Sequence, residues 1–314
     1  MAELTAYITD QLGAARTLPV ILSAEFNHGS GEPCDSAELR FTYENGMDAQ
    51  LAAATGIRCS MAGSTVFRGV VDEYEISFSP AGAFVDISAR GLAAKLMDNE
   101  SEAREYSCAD IGTIIANHVT PCGITDIDYD RIPAVYGYRV GSGQSQWDAL
   151  RAFTMCSAGI SPHFSKSGRL LLKPLSGKTL KMDDSTPILE LRWCDRRYGV
   201  ISEVLVKDAS TGASTTVENA PFKARGGMCR RVMNVTTRTD YRPMRFTGEY
   251  QIACSESESR VLCAKLPWEF AAEPGDTVLY STNRSGLSGE YTVTSACCRL
   301  DGEGWNTELY MEAK

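Results

Sequence analysis

The chain has 314 residues, of which 43% are hydrophobic and 23% charged; its formal net charge is −9 and its pI is about 5.0. This is the composition of a globular protein, and the length predicts two or three domains. No stretch approaches 18 apolar residues and the first residues lack signal-peptide character, so we expect neither a membrane-spanning segment nor secretion by a signal peptide. The low pI argues against nonspecific binding to nucleic acid, and we expect no sequence-specific binding either.

Residues 1–100 are predicted to be a β domain, with early strands at 19–22 and 37–43. The stretch 66–87 predicts a hairpin whose first strand alternates. One face of that strand carries Val70, Tyr74, Ile76 and Phe78, and the other carries Glu73, Glu75 and Ser77. Ser79–Gly82 supplies the turn, and a short helix follows Gly91. Short strands separated by turns predict a small barrel or sandwich.

Residues 101–190 are predicted to be an α+β insert domain. Ser107 and Asp110 have the spacing of a helix capping box, and Ser145 and Asp148 repeat it before a helix with a buried apolar face. A hairpin is predicted over 162–173, and 178–187 is predicted to be an exit linker.

Residues 191–314 are predicted to be mostly β again, with Val200, Val204 and Val206 on one face of a strand over 200–207 and further strands at 229–238, 246–253 and 277–280. A third capping box, Ser255 to Glu258, predicts a single helix through Leu266. The last hairpin is predicted at 289–296 and 305–312. The predicted fold class is therefore α+β and mainly β, with two barrel-like β domains, 1–100 and 191–314, on either side of the insert.

Three aspartates, Asp126, Asp128 and Asp130, have the alternate spacing that begins a calcium loop. Position six of such a loop requires glycine and position twelve glutamate, whereas this chain has Arg131 and Gly137 there. On an extended strand the three carboxylates would share one solvated face. We therefore predict no metal site and no cofactor.

Cys156 and His163 could form a nucleophile–base pair, but no local nucleophile signature surrounds them and a surface histidine on a strand is the simpler interpretation. His28 is predicted in a glycine-containing loop, and His118 near a helix C-terminus, where the dipole favours a cation. Gly141–Ser145 resembles part of a phosphate loop but lacks its Gly-Lys-Ser/Thr ending, so it is interpreted as the approach to a helix cap. We predict no catalytic residue and no enzymatic activity.

The chain contains 11 cysteines without any Cys-x-x-Cys spacing, which favours buried free thiols in a reducing compartment. The adjacent Cys297 and Cys298 could form a strained disulfide, although two strand residues facing opposite ways is the favoured alternative.

Charge is distributed unevenly along the chain. Residues 1–100 contain 14 acidic and 6 basic residues, and residues 192–245 contain 11 basic and 5 acidic residues. Two ordinary solvated surfaces would explain this. The sharper hypothesis is that the acidic first domain of one subunit contacts the basic later region of another, with the pairs Arg196-Arg197 and Arg230-Arg231 at such a contact.

Four segments carry a resemblance to a known family: 66–100, 198–208, 247–252 and 270–278. Together they resemble the baseplate hub proteins of phage tails and related contractile particles, and within that group the hubs of Gram-positive prophages. None of these segments is a catalytic signature.

The resemblance implies a virion structural protein that forms a homotrimeric ring at the tail baseplate. Its two tube-like β domains per subunit would adapt a sixfold tail tube to a threefold spike. The implied partners are the tail tube or tube-initiating protein, the central spike, the tape measure protein and other baseplate proteins. The implied location is the tail of a virion or tail-like particle assembled in the bacterial host cytoplasm.

An alternative is a trimeric receptor- or carbohydrate-binding tail component, for which Trp305, Tyr136 or Tyr138 could provide an exposed aromatic platform. A cysteine hydrolase that uses Cys156 and His163 is a third and weaker hypothesis.

Overall fold

The computed structural model describes residues 3–30, 34–208, 212–235, 243–257, 259–283 and 286–313. The chain divides into two compact units. Unit 1 contains residues 1–180, 266–277 and 293–309, and unit 2 contains 181–265, 278–292 and 310–314. Strands dominate the structure, so the α+β, mainly β fold class is confirmed. The division into three domains stays a prediction.

The β part of unit 1 is one antiparallel sheet, and its strand order is β2-β1-β5-β6-β7-β4-β3-β22, continued by the strand Gly304–Ala313. Short helices accompany it, α1 (Asp48–Ala53) and α2 (Ala94–Met97). The sheet strands are β1 (Leu4–Thr9), β2 (Ala15–Thr17), β3 (Ile21–Gly29), β4 (Ser36–Thr42), β5 (Gly56–Met61), β6 (Ser64–Ser79), β7 (Gly82–Gly91) and the later part of β22 (Gly289–Asp301).

None of the sheets in the described residues closes into a barrel. The inner face of the unit 1 sheet forms a core around Phe26, Phe41, Phe67 and Ile87, all at most 1% exposed. This core also contains Trp305, from strand β23 (Gly304–Ala313).

The long hairpin β6–β7 contains a β-bulge that the alternation pattern did not reveal. The register shifts between Val71 and Glu73, which leaves Asp72 as the extra residue. Val70 therefore lies opposite Arg90 on the polar face, and its predicted place beside Tyr74 is wrong. Beyond the bulge the predicted alternation of faces is correct, because Tyr74 pairs with the buried Ile87 and Glu73 with the exposed Ser88. The expected burial of the apolar face is wrong at the hairpin end, where Phe78 is 73% exposed.

The insert part of unit 1 packs a second core around helix α4 (Gln146–Ala158), whose Leu150 and Phe153 are fully buried. Helix α3 (Ile111–Ile114) continues into a π-turn (Ile115–Val119) and a 3₁₀ turn (Thr120–Cys122). The strands around these helices are β8 (Glu100–Ser101), β9 (Arg104–Ala109), β10 (Ile127–Tyr129), β11 (Val135–Val140), β12 (Gln144–Ser145), β13 (His163–Phe164) and β14 (Leu170–Leu172).

Only one of the three predicted capping boxes opens the predicted helix. Ser145 accepts a hydrogen bond from the Asp148 N–H at 3.0 Å at the start of α4. At α3 the cap is Asp110, which accepts from the Thr113 N–H at 2.7 Å, because Ser107 already belongs to β9.

Unit 2 contains a three-stranded sheet, β18-β17-β19, covered by helix α6 (Pro243–Glu256). Val204 and Val206 are fully buried under it, on one face of a strand as predicted. Val200 precedes the strand that begins at Glu203, so its predicted place on that face is wrong. The strand predicted at 246–253 lies inside α6 and is wrong. The sheet strands are β17 (Glu203–Asp208), β18 (Ser214–Glu218) and β19 (Arg230–Val235), with helix α5 (Ala220–Ala224) after β18.

Strand β16 (Glu190–Asp195) pairs with β20 (Arg260–Leu266) in the same unit. The helix predicted after Ser255 is therefore wrong, because 260–266 is a strand; Ser255 instead donates a hydrogen bond to the Ile252 carbonyl at 2.7 Å at the end of α6. Glu258, the other end of that predicted box, lies outside the described residues. The predicted linker contains strand β15 (Thr179–Asp183), and β21 (Thr277–Ser281) pairs with it.

Candidate functional site

The outer face of strands β4, β7 and β6 presents a row of carboxylates. Glu38 lies opposite Ser88, which in turn lies opposite Glu73. One step along the strands, Arg40 lies opposite Asp86, and Asp86 opposite Glu75. Directly opposed residues of antiparallel strands project to the same face, so these side chains form one surface. We call Glu38, Glu73 and Glu75 the acidic face.

The cations near the acidic face are already paired with other carboxylates. Arg40 bonds both oxygens of Asp86 at 3.2 Å, and Arg299 bonds Glu25 at 2.7 Å, which lowers the pKa of Glu25. The three glutamates of the acidic face are exposed and make no ion pair with any described residue. The surface therefore carries three uncompensated negative charges.

A turn in unit 2 presents the opposite charge. Arg196, Arg197 and Tyr198 follow strand β16, and Gly199 closes the turn with a φ of +88°. The Arg196 N–H donates to the Ser259 carbonyl at 2.6 Å, so the backbone of the turn is anchored. We call Arg196–Tyr198 the arginine turn.

The arginines of this turn lack an anion among the described residues. Their neighbour Asp195 is engaged by Arg225 at 3.3 Å and by Arg260 at 4.0 Å. The side chains of Arg196 and Arg197 are exposed, and Tyr198 is 93% exposed. By contrast, Arg230, from the second predicted pair, bonds Glu203 at 2.9 Å.

A small cavity in unit 1 is lined by Asp35, Arg68, His163 and Lys166. Lys166 bonds Glu273 at 2.9 Å and lies 4.5 Å from the ring centre of Phe270. Burial alone would raise the pKa of Glu273, but the hydrogen bond and charge of Lys166 lower it below its ordinary value. Lys166 is thus paired with Glu273, and Asp35 is paired with His28.

The proposed nucleophile–base pair is not brought together as a hydrogen-bonded pair. Cys156 lies exposed on α4, whereas His163 begins β13 and its Nδ1 faces the Ser161 carbonyl at 3.4 Å. Burial lowers the pKa of His163.

The three aspartates of the predicted calcium-like motif contact cations instead of converging on one point. Asp126 bonds Arg169 at 2.8 Å, and Lys173 bonds Asp128 at 2.8 Å and Asp130 at 3.4 Å. No cluster of three or more histidine, cysteine or acidic side chains suited to a metal occurs in the described ranges.

The remaining histidines are buried. His28 is part of β3, not of a loop, and its Nδ1 lies 2.9 Å from Asp35. His118 sits near a helix end as predicted, but it is only 2% exposed and burial lowers its pKa, so it is not a helix-end cation.

Among the aromatic platform candidates, Tyr136 is 77% exposed, whereas Trp305 and Tyr138 are 9% exposed. Cys297 and Cys298 are buried free thiols in β22. The sequence revealed Glu73, Glu75 and the arginines, but not Glu38. The alternation of Glu38 and Arg40 with the buried Ala37, Leu39 and Phe41 was the signal that could have found it.

No family model matches the chain, and no curated protein matches it in sequence. Solved structures do match. The tail protein from Neisseria meningitidis MC58 has a TM-score of 0.80 at 15% identity, over 99% of this chain and 97% of that one. The 43 kDa tail protein of prophage MuSo2 from Shewanella oneidensis has a TM-score of 0.78 at 14% identity, over 100% and 98%.

A third match is the c3393 protein of E. coli, described as a type VI secretion component similar to the T4 bacteriophage tail proteins gp27 and gp5. Its TM-score is 0.59 at 10% identity, over 94% of this chain and 73% of that one. The chain therefore has the fold of phage tail proteins and of a related secretion-system component, which confirms the resemblance at the level of fold.

Proposed function

We propose that this chain is a structural subunit of the baseplate hub of a phage tail or a related contractile injection particle. Three copies form a ring that adapts the sixfold tail tube to the threefold spike. The protein acts through its surfaces and catalyses no reaction. Its place is the tail of the particle, assembled in the host cytoplasm.

The observation that carries this proposal is the likeness to tail proteins over the full length of both chains. The two matches cover 99–100% of this chain and 97–98% of the tail proteins. A fold alone does not determine a function, but this fold is shared here by proteins described as parts of tails and of a secretion system.

The partners that fit this role are a second and third copy of the chain, the tail tube or tube-initiating protein, the central spike and the tape measure protein. No described helix has the length and apolar character needed to cross a membrane. The exposed charges of the acidic face and the arginine turn are suited to protein contacts of this kind.

Native mass spectrometry of the purified chain, alone and mixed with its neighbouring spike protein, tests the proposal. We expect a species of three 34.2 kDa chains, either alone or on addition of the spike. A strict monomer under both conditions at micromolar concentration would contradict the hub role. A tagged chain absent from purified tails by electron microscopy would contradict the location.

A further inference from the structure

The acidic face and the arginine turn carry unpaired charges of opposite sign. Three exposed glutamates on one side and two exposed arginines on the other lack partners within the described part of the chain. Nearby groups of the same types are paired, as in Arg40–Asp86 and Arg225–Asp195. A single occupant that carries both charges would satisfy both surfaces.

We propose that the acidic face of one copy binds the arginine turn of a second copy of this chain. The inference rests on the proposed ring, and it names the contact that joins neighbouring subunits. Arg196 and Arg197 donate to Glu38, Glu73 and Glu75 of the neighbour, and Tyr198 covers the adjoining sheet surface.

The chemistry of the two surfaces fits such a contact. A guanidinium presents a planar fork of donors that bonds a carboxylate through two parallel hydrogen bonds. Glu73 and Glu75 are two residues apart on one strand, so their carboxylates project to the same face within reach of consecutive arginines on a turn. The anchored backbone of the turn limits the entropy lost on binding.

A second copy is favoured over other acidic or basic partners because one chain carries both surfaces. In a closed ring each interface joins two different patches of the same subunit, and here the patches have opposite charge. The surrounding sequence has the same polarity, with 14 acidic and 6 basic residues in 1–100 and 11 basic and 5 acidic residues in 192–245. Nucleic acid would satisfy only the arginine turn and would leave the acidic face unpaired.

Charge reversal tests the contact. The variant Arg196→Glu/Arg197→Glu should weaken assembly at least about 100-fold, because like charges then face each other across the interface. The control Arg131→Glu/Arg139→Glu makes the same change in net charge at exposed insert positions and should leave assembly unchanged. Assembly is measured by native mass spectrometry and analytical ultracentrifugation, with the spike protein added if the parent needs it.

Rescue separates a direct contact from misfolding. Glu73→Arg/Glu75→Arg should weaken assembly as strongly as the arginine reversal, and the quadruple variant that carries both reversals should assemble again. Mixing the two double variants should not restore a trimer, because a ring of three always places two copies of one variant side by side. If two copies instead paired reciprocally, with the acidic face of each on the arginine turn of the other, the same mixture would restore assembly fully.

Two results would overturn the inference and leave the proposed hub intact: a trimer that tolerates the arginine reversal, or a quadruple variant that stays as weak as either double variant. A parent chain that forms no trimer, with or without the spike, would overturn the ring and this contact together. Assembly that weakens equally in the control would also contradict it, because the effect would then reflect net charge only.

Discussion

Replacing Tyr106 by phenylalanine should destabilise the insert, because a buried histidine depends on the tyrosine hydroxyl. The Tyr106 hydroxyl lies 2.8 Å from Nε2 of His118, and the other ring nitrogen lies 2.6 Å from Oε1 of Gln146. The Gln146 amide nitrogen donates to the Glu100 carbonyl at 3.1 Å, which fixes Oε1 as the acceptor. Nδ1 of His118 therefore carries the proton, and Nε2 accepts from Tyr106.

The size of the effect follows from this geometry. Tyr106→Phe keeps the ring but removes the donor, and His118, which is 2% exposed, keeps a buried acceptor without a partner. An orphaned buried acceptor costs about 1–3 kcal/mol. The matched control is Tyr136→Phe on the neighbouring strand β11, because Tyr136 is 77% exposed and its loss should change stability by less than about 0.5 kcal/mol.

Hydrogen exchange of the α4 amides, measured by mass spectrometry, reports the opening of this core. We expect faster exchange across residues 146–158 in Tyr106→Phe and parent-like exchange in Tyr136→Phe. Urea unfolding should show the same order. If the two variants exchange alike, the hydroxyl does not support His118 and the assigned hydrogen-bond network is incorrect.

Three further predictions concern other groups. Burial lowers the folded-state pKa of both His118 and His163, so the unfolded chain takes up protons first as the pH falls. The free energy of unfolding should be at its full value above pH 6.5 and should fall below it by up to about 1.4 kcal/mol per pH unit per histidine. Urea unfolding between pH 7.5 and 5.5 will measure this. Gly168→Ala should lower the free energy of unfolding by about 1 kcal/mol more than Gly13→Ala, as thermal unfolding will measure. Both glycines have φ above +80°, so the backbone strain is similar, but only at Gly168 would the new Cβ lie 2.8 Å from Leu92. A thiol reagent added to the folded protein should quickly modify the exposed cysteines, which are Cys108, Cys156, Cys194 and Cys254. It should modify the buried cysteines only on unfolding, because burial raises the pKa of Cys59 and Cys297 to about 12.

Local sequence signals predicted the elements that local physics controls. The hairpin β6–β7 and the cap of α4 were recognised because alternation and capping depend on residues close in sequence. The bulge at Asp72 was not, because it is stabilised across the sheet: Arg90 bonds the Asp72 carboxylate at 2.7 Å and also bonds Asp98. Ion pairs between residues 18 apart leave no periodic trace in the sequence.

Helix α6 was wrongly predicted as a strand because tertiary packing overrides the local sequence preference there. The local sequence over 246–253 predicted a strand. The helix instead packs on β17 and β18, and a Cβ at Gly248 would lie 2.7 Å from Val217 and 3.2 Å from Val206. This glycine permits the close approach, so the helix is specified by the sheet beneath it and not by its own period. The alternation within each strand can show that the glutamates of the acidic face point outward. It cannot show that they lack ion-pair partners, because that depends on which carboxylates Arg40 and Arg299 bind across the sheet.

Trp305, which the sequence offered as a candidate for binding carbohydrate, lies in the core of unit 1. Trp305 lies 5.9 Å from the Phe270 ring, which lies 5.6 Å from Phe26, so residues from both ends of the chain share one core. Trp305→Ala should cost about 3–5 kcal/mol, whereas Trp268→Ala, at a position 41% exposed, should cost about 1 kcal/mol or less. Thermal unfolding of the two variants, with glycan-array binding measured alongside, distinguishes the roles. A Trp305→Ala protein that keeps the parent's stability but loses binding to a glycan would contradict the structural role and favour a carbohydrate-binding tail component.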